Sequence, residues 1–184
     1  PMPKTILLIG TLDTKGGEYA FVQELIHNRG HSTIVMDAGV SGEPQFPPDL
    51  GAAEVAEAGG GSLSALREAG DRGAALTTMG AGAEALARSL YHDGKIDGVL
   101  ALGGSGGTSV ATAAMRALPV GFPKVMVSTM ASGDVSPYVG VKDVTMIYSV
   151  VDVAGLNRLS RQVFGNAVGA VCGMVEQTVP EAND

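Results

Sequence analysis

The amino-acid sequence predicts a doubly wound α/β domain, a mainly parallel sheet with helices on both faces, and three observations carry that prediction. Short, almost continuous apolar runs recur along the chain, as expected of strands buried on both faces. Segments with helical spacing of apolar residues separate them, the signature of βαβ units. Gly- or Thr-rich turns stand at the ends of three of the runs, where such sheets bind ligands.

The first run, residues 5–9 (TILLI), is a parallel strand closed by Gly10, and the predicted loop 10–17 follows it. From Glu18, the apolar Tyr19, Val22, Leu25 and Ile26 recur at helical spacing until Gly30 ends the helix. Residues 32–36 (STIVM) form a second strand, and the three prolines of 41–51 make an irregular loop. Residues 52–58 and 62–69 read as short helices around Gly59, Gly60 and Gly61, with a longer helix over 74–92 stopped at Asp93-Gly94. A third strand, 97–102 (DGVLAL), opens into GGSGGT and an Ala-rich helix over 109–118. A fourth strand spans 124–128, a fifth 144–150, and a helix over about 156–177 ends the chain. These elements predict a single Rossmann-like domain over residues 1–184, with right-handed connections.

Composition narrows the function classes. The chain is 45% hydrophobic and 17% charged, with a mean hydropathy of +0.23, which excludes an intrinsically disordered chain. There are 27 glycines among 184 residues, roughly twice the usual share of about 7%, and with no collagen-like period they serve turns and close backbone approaches. A net charge of −7 argues against a direct nucleic-acid binder, which needs a field of Lys and Arg. A bound anion must therefore be held locally, by backbone amides, helix N-termini and a few placed cations. No run reaches the roughly 20 apolar residues of a membrane helix, and residues 1–4 show no signal-peptide pattern, so the expectation is a cytoplasmic protein without membrane partners. The single cysteine, Cys172, lies in an apolar helical stretch and reads as a buried small hydrophobe.

The strongest local signal is Gly103, Gly104, Ser105, Gly106, Gly107 and Thr108, between a buried strand and a helix. Consecutive glycines let amides point into one concavity at a helix N-terminus, and the two hydroxyls can donate to phosphate oxygens. The dinucleotide fingerprint is nearly matched at Gly104, Gly106 and Ser109, but no carboxylate follows at the next strand end to take a ribose diol. No Gly-Lys-Ser or Gly-Lys-Thr exists, which excludes a P-loop mechanism. Gly80 to Ala85 also fits G-x-G-x-x-A, yet its small residues read better as a helix packed close to a neighbour. In the first loop Thr11, Thr14 and Lys15 can contact phosphate and Asp13 can hold a magnesium ion. The third turn offers Thr129, Met130, Ala131, Ser132 and Gly133. Asp134, Asp143 and Asp152 also lie near predicted strand ends as metal-ligand candidates. His27, His31 and His92 show no metal-ligand spacing and read as solvated or capping residues. Gly165, Gly169 and Gly173 leave one face of the last helix nearly bare, either to pack on the chain's own sheet or as a self-association seam.

Five blocks in order, GTLDTKG (10–16), MDAGV (36–40, with Gly39), DGVLALGGSGGTS (97–109), STMASGDVSPYVG (128–140) and SVVDVAGLNRLSR (149–161), resemble the N-terminal ATP-binding domain of a particular family. That family contains a plant tobamovirus-resistance protein, an inhibitor of viral RNA replication, and many uncharacterised bacterial proteins. The resemblance implies a domain that binds ATP between three loops, often as a homodimer, followed by a C-terminal domain resembling a TIM barrel. It places phosphates at residues 104–108, Thr11, Thr14 and Lys15 across from them, and residues 129–133 along the nucleotide. This chain is then the N-terminal part of a longer two-domain protein. With no visible general base or water-positioning residue, the expectation is an ATP-binding module, with magnesium as a candidate companion, that does not hydrolyse ATP efficiently. Two alternatives stand beside it: half of a metabolic enzyme whose cleft takes a small phosphorylated or carboxylated metabolite, and a scaffold with a vestigial cleft.

Overall fold

A computed structural model describes residues 2–182, so Pro1, Asn183 and Asp184 of the expected domain lie outside it. The chain runs through β1 (Thr5–Gly10), α1 (Leu12–Asn28), β2 (Ser32–Asp37), α2 (Ala52–Ala58), α3 (Leu63–Ala69) and α4 (Arg72–His92). It continues through β3 (Gly98–Gly103), α5 (Ser105–Arg116), β4 (Lys124–Ser128), a 3-10 turn (Thr129–Ser132), α6 (Ser136–Val139), β5 (Thr145–Tyr148) and α7 (Arg158–Glu176). The five strands form one sheet in the order β2-β1-β3-β4-β5, and every pairing is parallel.

The apolar runs follow from burial on both faces. Ile6 and Leu8 of β1 enter a layer with Tyr19, Val22 and Ile26 of α1 and Phe164, Val168 and Val171 of α7. Leu7 and Ile9 enter the opposite layer, with Val55 of α2, Met79 and Ala83 of α4 and Val110, Ala114 and Met115 of α5. This second layer is built on small residues: a Cβ at Gly82 would run into the carbonyl of Val55, and one at Gly59 into that of Thr78. The small residues of 80–85 thus mark a helix pressed against α2.

The chain steps from β1 out to β2, then returns across the sheet to β3 on the other side of β1. Strand order reverses between β1 and β3, and such a sheet opens a crevice outside the carboxyl ends of its strands there.

Several boundaries differ from the sequence expectation. α1 begins at Leu12 rather than Glu18, because the Thr11 carbonyl accepts from the amides of Thr14 (3.3 Å) and Lys15 (2.8 Å) and starts a helical turn at once. A kink at Lys15 (φ −125°, ψ 26°) joins that turn to the rest. β5 is shorter than 144–150, and Val150 adopts φ 68°. α7 starts at Arg158 because Asn157 caps it, its Oδ1 accepting from the amides of Leu159 and Ser160 at 2.9 Å. The bare glycine face of α7 does not pack on the sheet. A Cβ at Gly165, Gly169 or Gly173 would meet nothing within 4 Å, and the buried face is Phe164, Ala167, Val168, Val171, Cys172 and Val175. His31 is buried rather than solvated: its Nδ1 accepts from the Lys4 amide (3.0 Å) and its Nε2 lies 2.7 Å from Glu176 Oε1. Cys172 is buried as expected. No helix among the described residues is long and apolar enough to cross a membrane.

Candidate functional site

A cleft of about 950 Å³ lies at the switch point. Its floor is made by the first turns of α1 and α5, by Gly39 after β2, and by Thr129 and Met130 after β4. Its other wall comes from the crossover between β2 and β3, through Leu66 and Arg67 of α3 and Arg72, Leu76 and Met79 of α4.

Two buried polar side chains hold the floor. The Tyr19 hydroxyl, fully enclosed, donates to the Ile9 carbonyl and accepts from the Leu102 amide (2.9 Å), tying β1 to β3 under the cleft. Burial pushes its pKa up, so it remains a neutral phenol. The ring fills the place where a Cβ of Gly10 would stand. Asp37, 1% exposed, accepts through Oδ1 from the amides of Leu12 (3.1 Å) and Gly39 (2.9 Å) and fastens the end of β2 to the start of α1. Burial raises its pKa, the two amides oppose the rise, and the charges of Asp13 and Glu43 add to it. Asp37 sits at the end of β2, where a dinucleotide-binding domain places the acidic residue that takes a ribose diol. Here it is consumed by backbone.

Asp13 presents a different picture. Its Oδ2 accepts from the Gly42 amide at 3.0 Å, while its Oδ1 is buried with no hydrogen-bond partner among the described residues. Gly39 is needed beside it, because a Cβ there would collide with the Asp13 carboxylate.

The glycine-rich block is the first turn of a helix rather than a free loop. Gly103 ends β3, and Gly104 caps α5 with no side-chain cap bond. The amides of Ser105, Gly106 and Gly107 are therefore first-turn donors without intrahelical partners, and all three residues line the cleft. Thr108 does not. It is completely buried, with Oγ1 2.6 Å from Ser128 Oγ, and so supports the floor from beneath. Of the residues singled out in the sequence, Thr11, Asp13, Thr14, Lys15, Gly39, Gly104, Ser105, Gly106, Gly107, Thr129 and Met130 converge on the cleft. Gly103, Thr108, Ala131, Ser132 and Gly133 are not among its lining residues. Thr11 and Thr14 pair through their hydroxyls at 2.8 Å, and the Lys15 ammonium donates to the Val153 carbonyl.

The four aspartates weighed as metal ligands separate cleanly. Asp13 and Asp152 line the cleft. Asp134 accepts from the Ser136 amide (3.0 Å), and its hydrogen bonds to Ser136 lower its pKa. Asp143 pairs with the fully buried Lys124 at 2.9 Å and accepts from the Gly121 amide. Burial pushes the Asp143 carboxyl up, but Lys124 and Gly121 outweigh it and the pKa falls.

Sequence reasoning missed the crossover wall. Arg72 reaches the α5 first turn, since a Cβ built on Gly106 would lie 2.9 Å from its Nη2. Arg67 donates from Nε to the Val40 carbonyl (2.7 Å) and from Nη2 to that of Gly42 (3.2 Å). Leu66, Leu76, Met79 and Val110 supply an apolar surface beside these cations.

Over residues 4–180 the chain matches the model of the uncharacterised protein family (UPF0261) N-terminal domain. It is similar to a UPF0261 protein of Clostridium tetani, 52% identical over 180 residues that cover 98% of this chain and 45% of that protein. A UPF0261 protein of Mesorhizobium japonicum is 45% identical over 177 residues, covering 96% and 44%. The ToMV susceptible protein tm-1(GCR26) of Solanum lycopersicum is 33% identical over 187 residues, covering 92% and 24%. The chain thus spans less than half the length of these relatives.

Proposed function

We propose that this chain, which belongs to the uncharacterised protein family UPF0261 as its N-terminal domain, is an ATP-binding module that holds the nucleotide without hydrolysing it efficiently. The observation that carries the reading is the first turn of α5: three unpartnered amides face a cleft of about 950 Å³, with Arg72 and Lys15 among its lining residues. A helix N-terminus with its glycines bare is suited to phosphate oxygens, and the two cations supply locally what a chain of net charge −7 lacks overall. Leu66, Leu76, Met79 and Val110 offer an apolar surface for the base.

The reading adds a magnesium ion bound together with the phosphates. The buried, unpartnered Oδ1 of Asp13 is an oxygen awaiting a donor or a cation, and Asp152 lines the same cleft. Asp13 and Asp152 would hold the ion, which supplies charge neutralisation to the phosphates. The reading extends to a cytoplasmic, homodimeric two-domain protein in which the nucleotide stabilises the dimer or couples this domain to a C-terminal one. A second reading, a small phosphorylated or carboxylated metabolite bound by half of an enzyme, is favoured by one observation. Among the described residues no aromatic ring lines the cleft to stack on adenine.

Calorimetric titration of ATP, with and without magnesium, into this chain and into Gly106→Val tests the proposal. The atoms nearest a Cβ at Gly106 are the flexible ends of Arg72 and Leu76, which can give way, so the variant is expected to fold while filling the amide concavity, and circular dichroism checks that it does. Micromolar binding, about −8 kcal/mol, that vanishes in the folded variant is the expected result. A well-folded parent that ignores ATP but binds a sugar phosphate would put the second reading first.

A further inference from the structure

Between β5 and α7 the chain passes beside the cleft as a strap over residues 149–155. Val150 adopts φ 68°, which a β-branched residue rarely tolerates, and Gly155 adopts φ 78° at the other end. Between them Val153 is buried, 1% exposed, in the layer shared by α1 and α7. Two side chains of α1 hold the strap: the Lys15 ammonium donates to the Val153 carbonyl, and the buried Glu18 carboxylate accepts from the Gly155 amide. Midway, Asp152 lines the cleft, and among the described residues it has no hydrogen-bond or ion-pair partner.

An exposed carboxylate lining an anion cleft opposes the ligand that the rest of the cleft attracts. We infer that the strap is a cation-dependent clasp, and that Asp152 is the residue that makes the cleft select a polyphosphate carrying a divalent cation over the same polyphosphate bare. The inference rests on the nucleotide reading above and names the form of ligand it takes. Like charges brought together in a partly desolvated cleft repel, so bare phosphate and Asp152 disfavour each other. A divalent cation reverses the sign, because hard cations of this kind are held by one or two carboxylates together with substrate phosphates. Lys15 links the strap to the ligand: an ammonium has three donors, one serves Val153, and the others remain for an anion. Fastening an anion to Lys15 thereby fastens the strap.

The test is calorimetric titration of ATP into the parent and into Asp152→Asn, in excess magnesium and in a chelator. Asparagine is isosteric and the position is solvent-accessible, so far-UV circular dichroism should be unchanged. The parent should prefer the magnesium-loaded nucleotide by about tenfold, within the usual range of a coupling between two ligands. In Asp152→Asn the bare nucleotide should bind more tightly than to the parent and the loaded one more weakly, collapsing the preference. Amide exchange over 151–155 should slow more in the parent with magnesium and ATP than with ATP alone. A merely structural role would shift both affinities the same way, and that result, or no shift, overturns the clasp while leaving the nucleotide reading intact. Failure of both nucleotide forms to bind the folded parent would remove the reading and the clasp together.

Discussion

In the floor of the cleft, Tyr19 and Asp37 are 0% and 1% exposed, and their hydrogen bonds tie three parallel strand ends together. In its rim, α3 buries no residue and hangs between Gly60 (φ 84°) and Gly70 (φ 61°), held by the contacts of Leu63 and Leu66 and by the hydrogen bonds of Arg67. Tyr19 and Asp37 direct their hydrogen bonds to backbone and so fix the shape of the floor. Arg72 and Asp152, for which no side-chain hydrogen bond is made among the described residues, stand instead at the margin of the cleft, on the first turn of α4 and on the segment before α7. Burial thus divides labour here: the floor sets where a ligand sits, and the rim sets how it is held.

The largest expected effect would come from breaking the floor at Gly10. A methyl there would occupy the Tyr19 ring, which cannot withdraw because it is enclosed and hydrogen-bonded to both β1 and β3. Gly10→Ala should lose about 3 kcal/mol or more, the upper range of overpacking, measured as a fall in the urea midpoint. A loss below about 1 kcal/mol would mean that the floor yields and the contrast with the rim is false.

Asp37 sharpens the comparison by separating hydrogen bonding from charge. Asp37→Ala strands the amides of Leu12 and Gly39 and should cost about 1–3 kcal/mol. Asp37→Asn keeps an acceptor oxygen and removes a buried charge, so it should cost less than the alanine variant or stabilise the fold. The pH dependence has a definite sign. Burial raises the folded pKa of Asp37 above 3.8, so the folded chain holds this proton more tightly than the unfolded one. Its contribution to stability is fully present below the ordinary value and is lost as pH rises through the folded value. The advantage of Asp37→Asn over the parent should therefore grow across that window and level off above it. An advantage independent of pH would show that the charge is not what burial penalises.

These two regions were unequally legible in the sequence. The strands of the floor announce themselves, because burial on both faces leaves β1 and β3 almost no polar side chain. The turns were harder. Gly16 and Gly17 suggest a loop through 10–17, yet the Thr11 carbonyl starts a helix that tolerates both glycines. Thr108 reads as a phosphate ligand only if the glycine block is a loop. As a helical residue it falls in the buried series with Ala111, Thr112 and Met115, three, four and seven positions on, and so faces inward. Arg67 and Arg72 were invisible for a topological reason: the crossover that carries them is remote in sequence from both floor turns and meets them only when β3 pairs with β1. The position of Asp152 depends likewise on a strap whose path is set by Val153, Lys15 and Glu18.

The smallest global effect should come from Arg67→Ala. Its guanidinium bonds the carbonyls of Val40 and Gly42 from a side chain 36% exposed, and its approach to Glu43, 87% exposed, is loose at 3.7 Å. Screened contacts of this kind contribute little, and unfolding of the whole domain should change by no more than about 0.5 kcal/mol. The local effect should be larger than the global one. With no buried residue in α3, its leucines packing only partly and glycines hinging both ends, removal of Arg67 should speed amide exchange over residues 63–69 well beyond that of β1 or β3. If Arg67→Ala instead lowers global stability as much as Asp37→Ala, α3 unfolds together with the sheet. The rim is then an extension of the floor, and the cleft has to accept its ligand as a rigid whole.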